Sequence, residues 1–159
     1  MDVFDEELVE FWRSLIKNKV QFIMVGGIAT NLHGFSRTTA DVDLWIKDNK
    51  TNRFNLLLAL KEIGLDYLND LENYQFIPGW ASFRTVSGIE LDIMTYLKDF
   101  PQEQFELCLS LASSAKIFEL EIPFLHINHL IDEKKATNRN KDKIDVEELE
   151  KIKLLRENR

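Results

Sequence analysis

The stretch Asp41-Val42-Asp43-Leu44-Trp45-Ile46 places two aspartates two residues apart in an otherwise apolar run. Alternation of Val42, Leu44 and Ile46 predicts a β-strand. Successive side chains of a strand point to opposite faces, so the two aspartates point the same way. Two neighbouring carboxylates repel each other unless they share a cation. The stretch therefore predicts a strand that binds a hard, oxygen-preferring ion such as Mg²⁺, with a third carboxylate expected on a neighbouring strand.

The chain on either side of this strand supplies the rest of the predicted site. Upstream, residues 22–25 are predicted to form a short buried strand that runs into Gly26-Gly27 and a few helical residues. Downstream, residues 81–86 and 89–95 alternate in polarity and predict a β-hairpin, which would bring Asp92 beside Asp41 and Asp43. The order Gly-Gly, Asp-x-Asp, Asp indicates metal-assisted transfer of a nucleotide.

The remaining periodicities complete an α/β (α+β) fold. They predict helices over residues 5–18, from a cap near Asn49 or Thr51 to Gly64, after Pro101, and over 128–137 and 144–157, together with a strand pair over 116–122. We expect a small mixed, twisted sheet with the carboxylates on one face, helices on the other face, and a C-terminal helical lobe folded toward the cleft. Residues 1–125 are expected to form the core, and residues 126–159 a helical region packed on it within one compact protein.

Composition narrows the class of protein. The chain has 159 residues, of which 45% are hydrophobic, and no apolar run approaches the roughly 18 residues that cross a bilayer. The N-terminus is acidic where a signal peptide is basic, so we expect a cytoplasmic protein with no membrane partner. The lone Cys108 lies in an apolar rhythm, which favours core packing over catalysis.

The charge of the chain is uneven. A net charge of −7, from 27 acidic and 20 basic residues, argues against non-specific coating of nucleic acid. Between residues 134 and 143, however, one aspartate accompanies five cations: Lys134, Lys135, Arg139, Lys141 and Lys143. This basic island is either a solvated helix end or a phosphate-binding patch.

Several single residues have two readings. Gly26-Gly27 alone could be any tight turn, and Arg37 is a surface residue or a triphosphate contact. His33 is expected to be packed, and no histidine has zinc-ligand spacing. Trp45, Trp80 and Phe83 are expected in the core or the pocket wall, with base stacking by Trp80 or Phe83 as the alternative.

These residues carry a resemblance to a known family. Met24-Val25-Gly26-Gly27-Ile28-Ala29, His33-Gly34 and the segment from Arg37 to Leu44 resemble the signature of the DNA polymerase β-like nucleotidyltransferase superfamily. Within it, the chain is similar to small bacterial nucleotidyltransferase domains that include abortive-infection and toxin–antitoxin toxins. The segment from Leu130 to Leu149 also matches the tail of that subgroup, so the resemblance spans residues 24–149.

The resemblance implies a reaction and a set of residues. An acceptor hydroxyl would attack the α-phosphate of a nucleoside triphosphate such as ATP and release pyrophosphate, with two Mg²⁺ ions, or Mn²⁺, as cofactors. Asp41, Asp43 and Asp92 would hold the metals, and Asp92 would also act as the base. The implied nucleotide-binding residues are Gly26, Gly27, Thr30, Arg37, Lys135, Arg139 and Lys143.

Three functions compete at this stage. The favoured one is transfer of a nucleotide to a macromolecule, such as tRNA, another RNA or a protein, by a toxin that has a cognate antitoxin as partner. The second is modification of a small molecule, as antibiotic nucleotidyltransferases carry out. The third is a non-catalytic domain that binds a nucleotide or a partner protein, against which the intact set of three carboxylates speaks.

Overall fold

The computed structural model describes residues 2–66, 68–76 and 79–159, which form a six-stranded mixed sheet and six α-helices. The strands are β1 (Phe22–Val25), β2 (Asp41–Ile46), β3 (Trp80–Arg84), β4 (Glu90–Met94), β5 (Ser113–Ile117) and β6 (Leu120–Phe124). The helices are α1 (Glu6–Lys17), α2 (Gly26–His33), α3 (Lys50–Glu62), α4 (Phe105–Leu111), α5 (Ile127–Thr137) and α6 (Asn140–Glu157), with 3₁₀ turns at Leu71–Asn73 and Gln102–Gln104. This architecture confirms the predicted α/β fold.

The strand order in the sheet is β3-β4-β2-β1-β6-β5. β2 lies at the centre, antiparallel to β1 and parallel to β4, while β3 and β5 form the two edges. The predicted hairpin is present as the antiparallel pair β3–β4. The parallel β2–β4 pairing sets Asp43 directly opposite Asp92, and this register brings the two segments of the predicted site together.

The side chains of β2 explain why its two ends differ. Val42 and Leu44 point into the core and are fully buried. Trp45 lies on the same side of the strand as the aspartates and is also fully buried, because Phe105 of α4 packs edge-on against its ring with the centroids 5.3 Å apart. The indole Nε1 of Trp45 donates a hydrogen bond to the Thr95 carbonyl, 3.0 Å away. Helix α4 therefore covers one end of this face, and the aspartates occupy the other.

Side-chain caps mark the starts of α1 and α3. Asp5 accepts a hydrogen bond from the Glu7 backbone at the start of α1, and Asn49 accepts one from the Asn52 backbone at the start of α3, as the sequence predicted for Asn49. The predicted strand pair over residues 116–122 was misplaced. The hairpin β5–β6 begins three residues earlier, because its ladder runs from Ser113 opposite Phe124 to a turn at Phe118, whose φ is 53°.

The C-terminal helices pack against α2 through both α5 and α6. The prediction that the last helix begins at residue 144 was wrong, since α6 begins at Asn140. The Asp142 carboxylate accepts the backbone N–H of Arg139, 3.0 Å away, and so caps the helix four residues earlier than apolar periodicity indicated. Within the described ranges, no helix is long and apolar enough to cross a membrane.

Candidate active site

A cleft of about 690 Å³ opens where the carboxylate end of the sheet meets the C-terminal helices. The sheet wall carries Asp41 and Asp43 of β2 and Asp92 of β4, and the start of α2 adds Gly26 and Gly27. Helix α5 and the residues after it form the opposite wall, which we call the helical wall. The cleft therefore gathers two segments that are distant in the sequence, around residues 26–43 and 133–141.

Asp43 is the most perturbed carboxylate of the sheet wall. Burial raises its pKa from 3.8 to about 7, and the negative charges of Asp92 and Asp41 add to the effect. Lys141 and Lys134 oppose the shift without cancelling it. A carboxylate surrounded by other carboxylates in a half-buried site is poised either to hold a proton or to bind a cation.

The other two carboxylates of the sheet wall each have a neighbour on an adjacent strand. Asp41 lies opposite Glu90 and hydrogen-bonds to it, and burial together with Asp92 and Glu90 raises the pKa of Asp41. Ser82 of β3 lies opposite Asp92 and donates a short hydrogen bond to Asp92 Oδ1. The described residues contain no group of three His, Cys, Asp or Glu side chains already positioned to hold one ion. A metal at the sheet wall would therefore require these carboxylates to exchange their present contacts for it.

The two glycines leave no room for side chains beside the carboxylates. Gly26 has a φ of +67°, and a Cβ added there would lie 2.1 Å from Asp43 Oδ2. A Cβ on Gly27 would lie 2.5 Å from Thr39 Oγ1. Because only glycine fits, the backbone at the start of α2 runs directly against the site, and its free N–H groups are available to an anion.

Thr30 does not line the cleft. Its side chain is fully buried and its hydroxyl donates a hydrogen bond to the Gly26 carbonyl, 3.1 Å away. The sequence placed Thr30 among the nucleotide-binding residues, but in the structure it stabilises the first turn of α2 from inside. Its contact with the site is therefore indirect, through the backbone of Gly26.

The helical wall is held by a buried ion-pair network around two aspartates of α6. Asp145 binds Arg37 in a two-pronged pair, with Nε 2.9 Å from Oδ1 and a terminal nitrogen 3.0 Å from Oδ2. Lys134 Nζ lies 2.8 Å from Asp145 Oδ2 and 3.6 Å from Asp142 Oδ1. Asp142 also pairs with Arg139, whose Nε is 2.7 Å from Oδ2. The network ties the segment before β2 to both C-terminal helices.

Hydrogen bonding reverses the usual effect of burial on Asp142. Burial alone would raise its pKa, but hydrogen bonds from the Arg139 and Thr137 side chains and from the Arg139 backbone outweigh it and lower the pKa to about 2. Asp142 is thus a fully ionised, structural carboxylate, although it lies within the same part of the molecule as Asp43.

The basic island does not face the cleft as a unit. Arg139 and Lys141 line the cleft together with Lys134, whereas Lys135 and Lys143 are not among its lining residues. Lys135 points to the surface, where its Nζ lies 3.1 Å from Glu150 Oε1. The sequence analysis proposed Lys135, and not Lys134, as a nucleotide-binding residue, although the helical spacing of the sequence favours Lys134. Lys134 follows Leu130 by four residues and so shares the buried face of α5.

Other residues of the cleft escaped the sequence reasoning or changed role. Trp80 is 52% exposed and lines the cleft with Met94 and Leu97. It therefore lies in the pocket wall, which is one of the positions predicted for it. Glu133 of α5 also lines it, and no sequence signal pointed to that residue. His33 is buried, with Nε2 2.8 Å from the Leu125 carbonyl, which confirms that it is packed.

The comparison with known proteins identifies the architecture. No family model matches the chain, and no curated protein matches its sequence. Among solved structures, the lincosamide antibiotic adenylyltransferase LnuA in its lincomycin-bound form aligns with a TM-score of 0.63 and 16% identity, over 93% of this chain and 97% of LnuA. An antigenic nucleotidyltransferase-like protein from Paracoccidioides brasiliensis aligns with a TM-score of 0.59 and 19% identity, over 94% of this chain and 75% of that protein. The chain therefore has the fold of nucleotidyltransferases, as the resemblance implied.

Proposed function

We propose that this protein is a metal-dependent nucleotidyltransferase that moves a nucleoside monophosphate from a triphosphate to an acceptor hydroxyl. The observation that carries the proposal is the meeting of Asp43 with Asp92 across β2 and β4, directly against the backbone of Gly26. A half-buried carboxylate whose pKa is raised by burial and by two like charges costs stability, which favours a functional role for it. The nucleotidyltransferase fold supports the same reading.

The donor set of the sheet wall fits Mg²⁺. Asp41, Asp43 and Asp92 offer hard carboxylate oxygens. The pKa of Asp43 is raised first by burial and then by the negative charges of Asp92 and Asp41, which the nearby lysines do not cancel. These three residues would hold the metal, with Mn²⁺ as an alternative that favours the same ligands. Bound there, the metal would supply charge neutralisation at the reacting phosphate and the leaving group.

The chain's own groups position the triphosphate. Backbone N–H groups at the start of α2 can approach an anion closely because Gly26 and Gly27 have no side chains, and the helix dipole favours negative charge at that end. Lys141 and Arg139 face this region from the opposite wall. Arg37 and Lys134 are held by Asp145, so they contribute fixed positive charge to the cleft lining without being free to follow a ligand.

The acceptor is either a macromolecule or a small molecule. The resemblance to toxin-type domains favours tRNA, another RNA or a protein as acceptor, with an antitoxin as partner. One observation favours the small-molecule alternative: three of the five cations of the basic island are already paired with carboxylates, Lys134 and Arg139 with Asp142 and Asp145, and Lys135 with Glu150, which reduces the positive charge open to an RNA backbone. A cleft of about 690 Å³ also lies within the range of small-ligand sites.

The test is a transfer assay in which each of the four nucleoside triphosphates is labelled at the α-phosphate. The protein is incubated with Mg²⁺ and, separately, total tRNA, a cell lysate or lincomycin, and label on the acceptor and released pyrophosphate are measured. We expect transfer by the wild type and by Asp66→Asn, an exposed control, and none by Asp43→Asn. Absence of transfer with every nucleotide and acceptor, together with nucleotide binding, would leave the non-catalytic reading.

A further inference from the structure

Glu133 is a carboxylate of the cleft that the proposed site has not used. It lies on α5, is half-buried, and lines the cleft on the helical wall. It makes no hydrogen bond or ion pair with any residue that the structure describes. Burial raises its pKa, Asp142 adds to the rise, and Lys134 and Arg139 oppose it. A carboxylate that lines a cleft and has no protein partner can accept a hydrogen bond from a bound molecule.

The carboxylates around Glu133 are already committed to other partners. Asp142 and Asp145 hold the cations of the helical wall at distances of 2.7–2.9 Å. Asp92 accepts the hydroxyl of Ser82 and lies beside Asp43 in the sheet wall. Within the described part of the cleft, Glu133 therefore has lone pairs free to accept a proton from a bound molecule.

We propose that Glu133 is the general base that activates the acceptor. This inference rests on the proposed nucleotidyl transfer. Glu133 takes the proton from the acceptor hydroxyl, the hydroxyl oxygen forms its bond to the α-phosphorus, and the bond between the α-phosphorus and the bridging oxygen breaks. Pyrophosphate leaves with the bonding electrons, and the proton passes from Glu133 to solvent. The acceptor then approaches along the helical wall, opposite the strand carboxylates.

The geometry favours Glu133 over Asp92 for this step. A carboxylate that binds a cation loses basicity, and Asp92 belongs to the set that would hold the metal. Glu133 lies on the other wall, and within the part of the chain that the structure describes no hydrogen bond or ion pair joins its carboxylate to the three strand carboxylates. Its position in a half-buried part of the cleft brings its basicity closer to neutral pH, where a general base works best.

The test compares Glu133→Gln with the wild type in the transfer assay, using the acceptor that the wild type labels. Water serves as a second acceptor, and its reaction is measured as release of pyrophosphate. Loss of a general base lowers kcat by about 10²–10⁴-fold. We expect this loss in kcat with the nucleotide and Mg²⁺ concentrations at half-saturation unchanged. We also expect kcat of the wild type to rise with pH and kcat of Glu133→Gln to lack this rise, since glutamine cannot titrate.

Asp132→Asn is the matched control, because this neighbouring carboxylate of α5 is exposed and lies outside the cleft lining. It should behave as the wild type. If Glu133→Gln transfers nucleotide within about threefold of the wild-type rate while Asp43→Asn is inactive, Glu133 is not the general base and the proposed function still stands. A wild type that transfers nothing, with any nucleotide or acceptor, would overturn both. Unfolding by urea should show Glu133→Gln to be at least as stable as the wild type, which separates a chemical loss from a misfolded variant.

Discussion

The two walls of the cleft use the same residue type in opposite ways. Asp43 on the sheet wall has its pKa raised to about 7, first by burial and then by Asp92 and Asp41. Asp142 on the helical wall is more deeply buried, yet hydrogen bonds from Arg139 and Thr137 overcome the effect of burial and lower its pKa to about 2. Burial raises the pKa of both carboxylates, and their neighbours make the difference: Asp142 accepts hydrogen bonds, whereas Asp43 lies beside like charges.

This contrast separates structural carboxylates from candidate functional ones. The helical wall is internally neutralised, so it can hold its shape without a ligand. The sheet wall carries like charges that only a cation or protons can relieve. Substitutions that remove one charge from each wall should therefore have opposite effects on stability, and only one of them should remove activity directly.

Asp43→Asn is expected to have the largest effect on activity. Loss of a metal ligand removes several kcal/mol of charge stabilisation, which corresponds to a decrease in transfer rate of about 10³-fold or more. In metal-free buffer at about pH 8 the same variant should be more stable than the wild type, because it removes an unneutralised carboxylate. Urea unfolding followed by circular dichroism measures the second effect. If Asp43→Asn were both inactive and strongly destabilised, the contrast between a functional sheet wall and a structural helical wall would be wrong.

Asp145→Asn is expected to have the largest effect on stability. It leaves Lys134 and Arg37 buried without their shared counter-charge. Removing one partner of a buried pair costs about 3–5 kcal/mol in the free energy of unfolding. Thermal unfolding should show this as a decrease in Tm, with the exposed Glu147→Ala as the control. A change in Tm equal to that of the control would mean that the network does not hold the helical wall.

The pH dependence of stability should differ between the walls. The folded pKa of Asp43 lies above its unfolded value, so the native state holds a proton that the unfolded state has lost between about pH 4 and 7. Stability then decreases as pH rises through that window, at up to about 1.4 kcal/mol per pH unit. For Asp142 the folded pKa lies below the unfolded one, so its contribution is present above about pH 4 and is lost as pH decreases toward 2.

Urea unfolding from about pH 3 to 8 in a chelator tests both signs. Asp43→Asn should remove the largest part of the decrease in stability above pH 4, and Asp41 and Glu133, whose pKa values burial also raises, should leave a smaller remainder. Asp142→Asn should abolish the loss below pH 4. Saturating Mg²⁺ should also remove the upper decrease in the wild type, because a bound cation stabilises the ionised form. If the decrease in stability above pH 4 keeps its full size in Asp43→Asn, a group other than Asp43 causes it.

The sequence predicted the sheet wall better than the helical wall, for a physical reason. Alternation within one strand fixes the face of each side chain, so Asp41 and Asp43 had to point together. The hairpin pattern placed Asp92 on the neighbouring strand. The parallel register that sets it opposite Asp43 is a long-range pairing, which local pattern alone does not determine.

On the helical wall, the deciding contacts join residues about 100 positions apart. The pair of Arg37 with Asp145 leaves no local trace in composition, and a run of cations looks the same whether each one faces a ligand, an aspartate or water. Only the helical position relative to Leu130 and Ile131 distinguished the buried Lys134 from the exposed Lys135.

Lys141→Ala and Lys135→Ala test whether cleft-lining and surface lysines of the basic island differ in function, because each variant removes one exposed lysine. Lys141 lines the cleft, and loss of a charge-assisted contact to phosphate costs about 1.5–3 kcal/mol, or one to two decades in nucleotide affinity. Lys135 pairs with Glu150 at the surface, and its loss should change affinity by less than about twofold. Titration with nucleotide at low and high salt checks both values, and the Lys141 effect should shrink as salt rises. Equal nucleotide affinities of the two variants would mean that the basic island is a solvated surface and not a phosphate-binding patch.

Trp80 offers the smallest effect and the most direct view of the cleft. Trp12 and Trp45 are fully buried, whereas Trp80 is 52% exposed on the rim of the sheet wall. Iodide should therefore quench the fluorescence of Trp80 alone, and nucleotide with Mg²⁺ should protect it. Trp80→Phe should abolish iodide quenching and weaken nucleotide binding by less than about tenfold, because phenylalanine keeps part of the stacking surface, which is worth about 1–3 kcal/mol per base. If nucleotide leaves the quenching of Trp80 unchanged while it binds, the base lies away from the sheet wall.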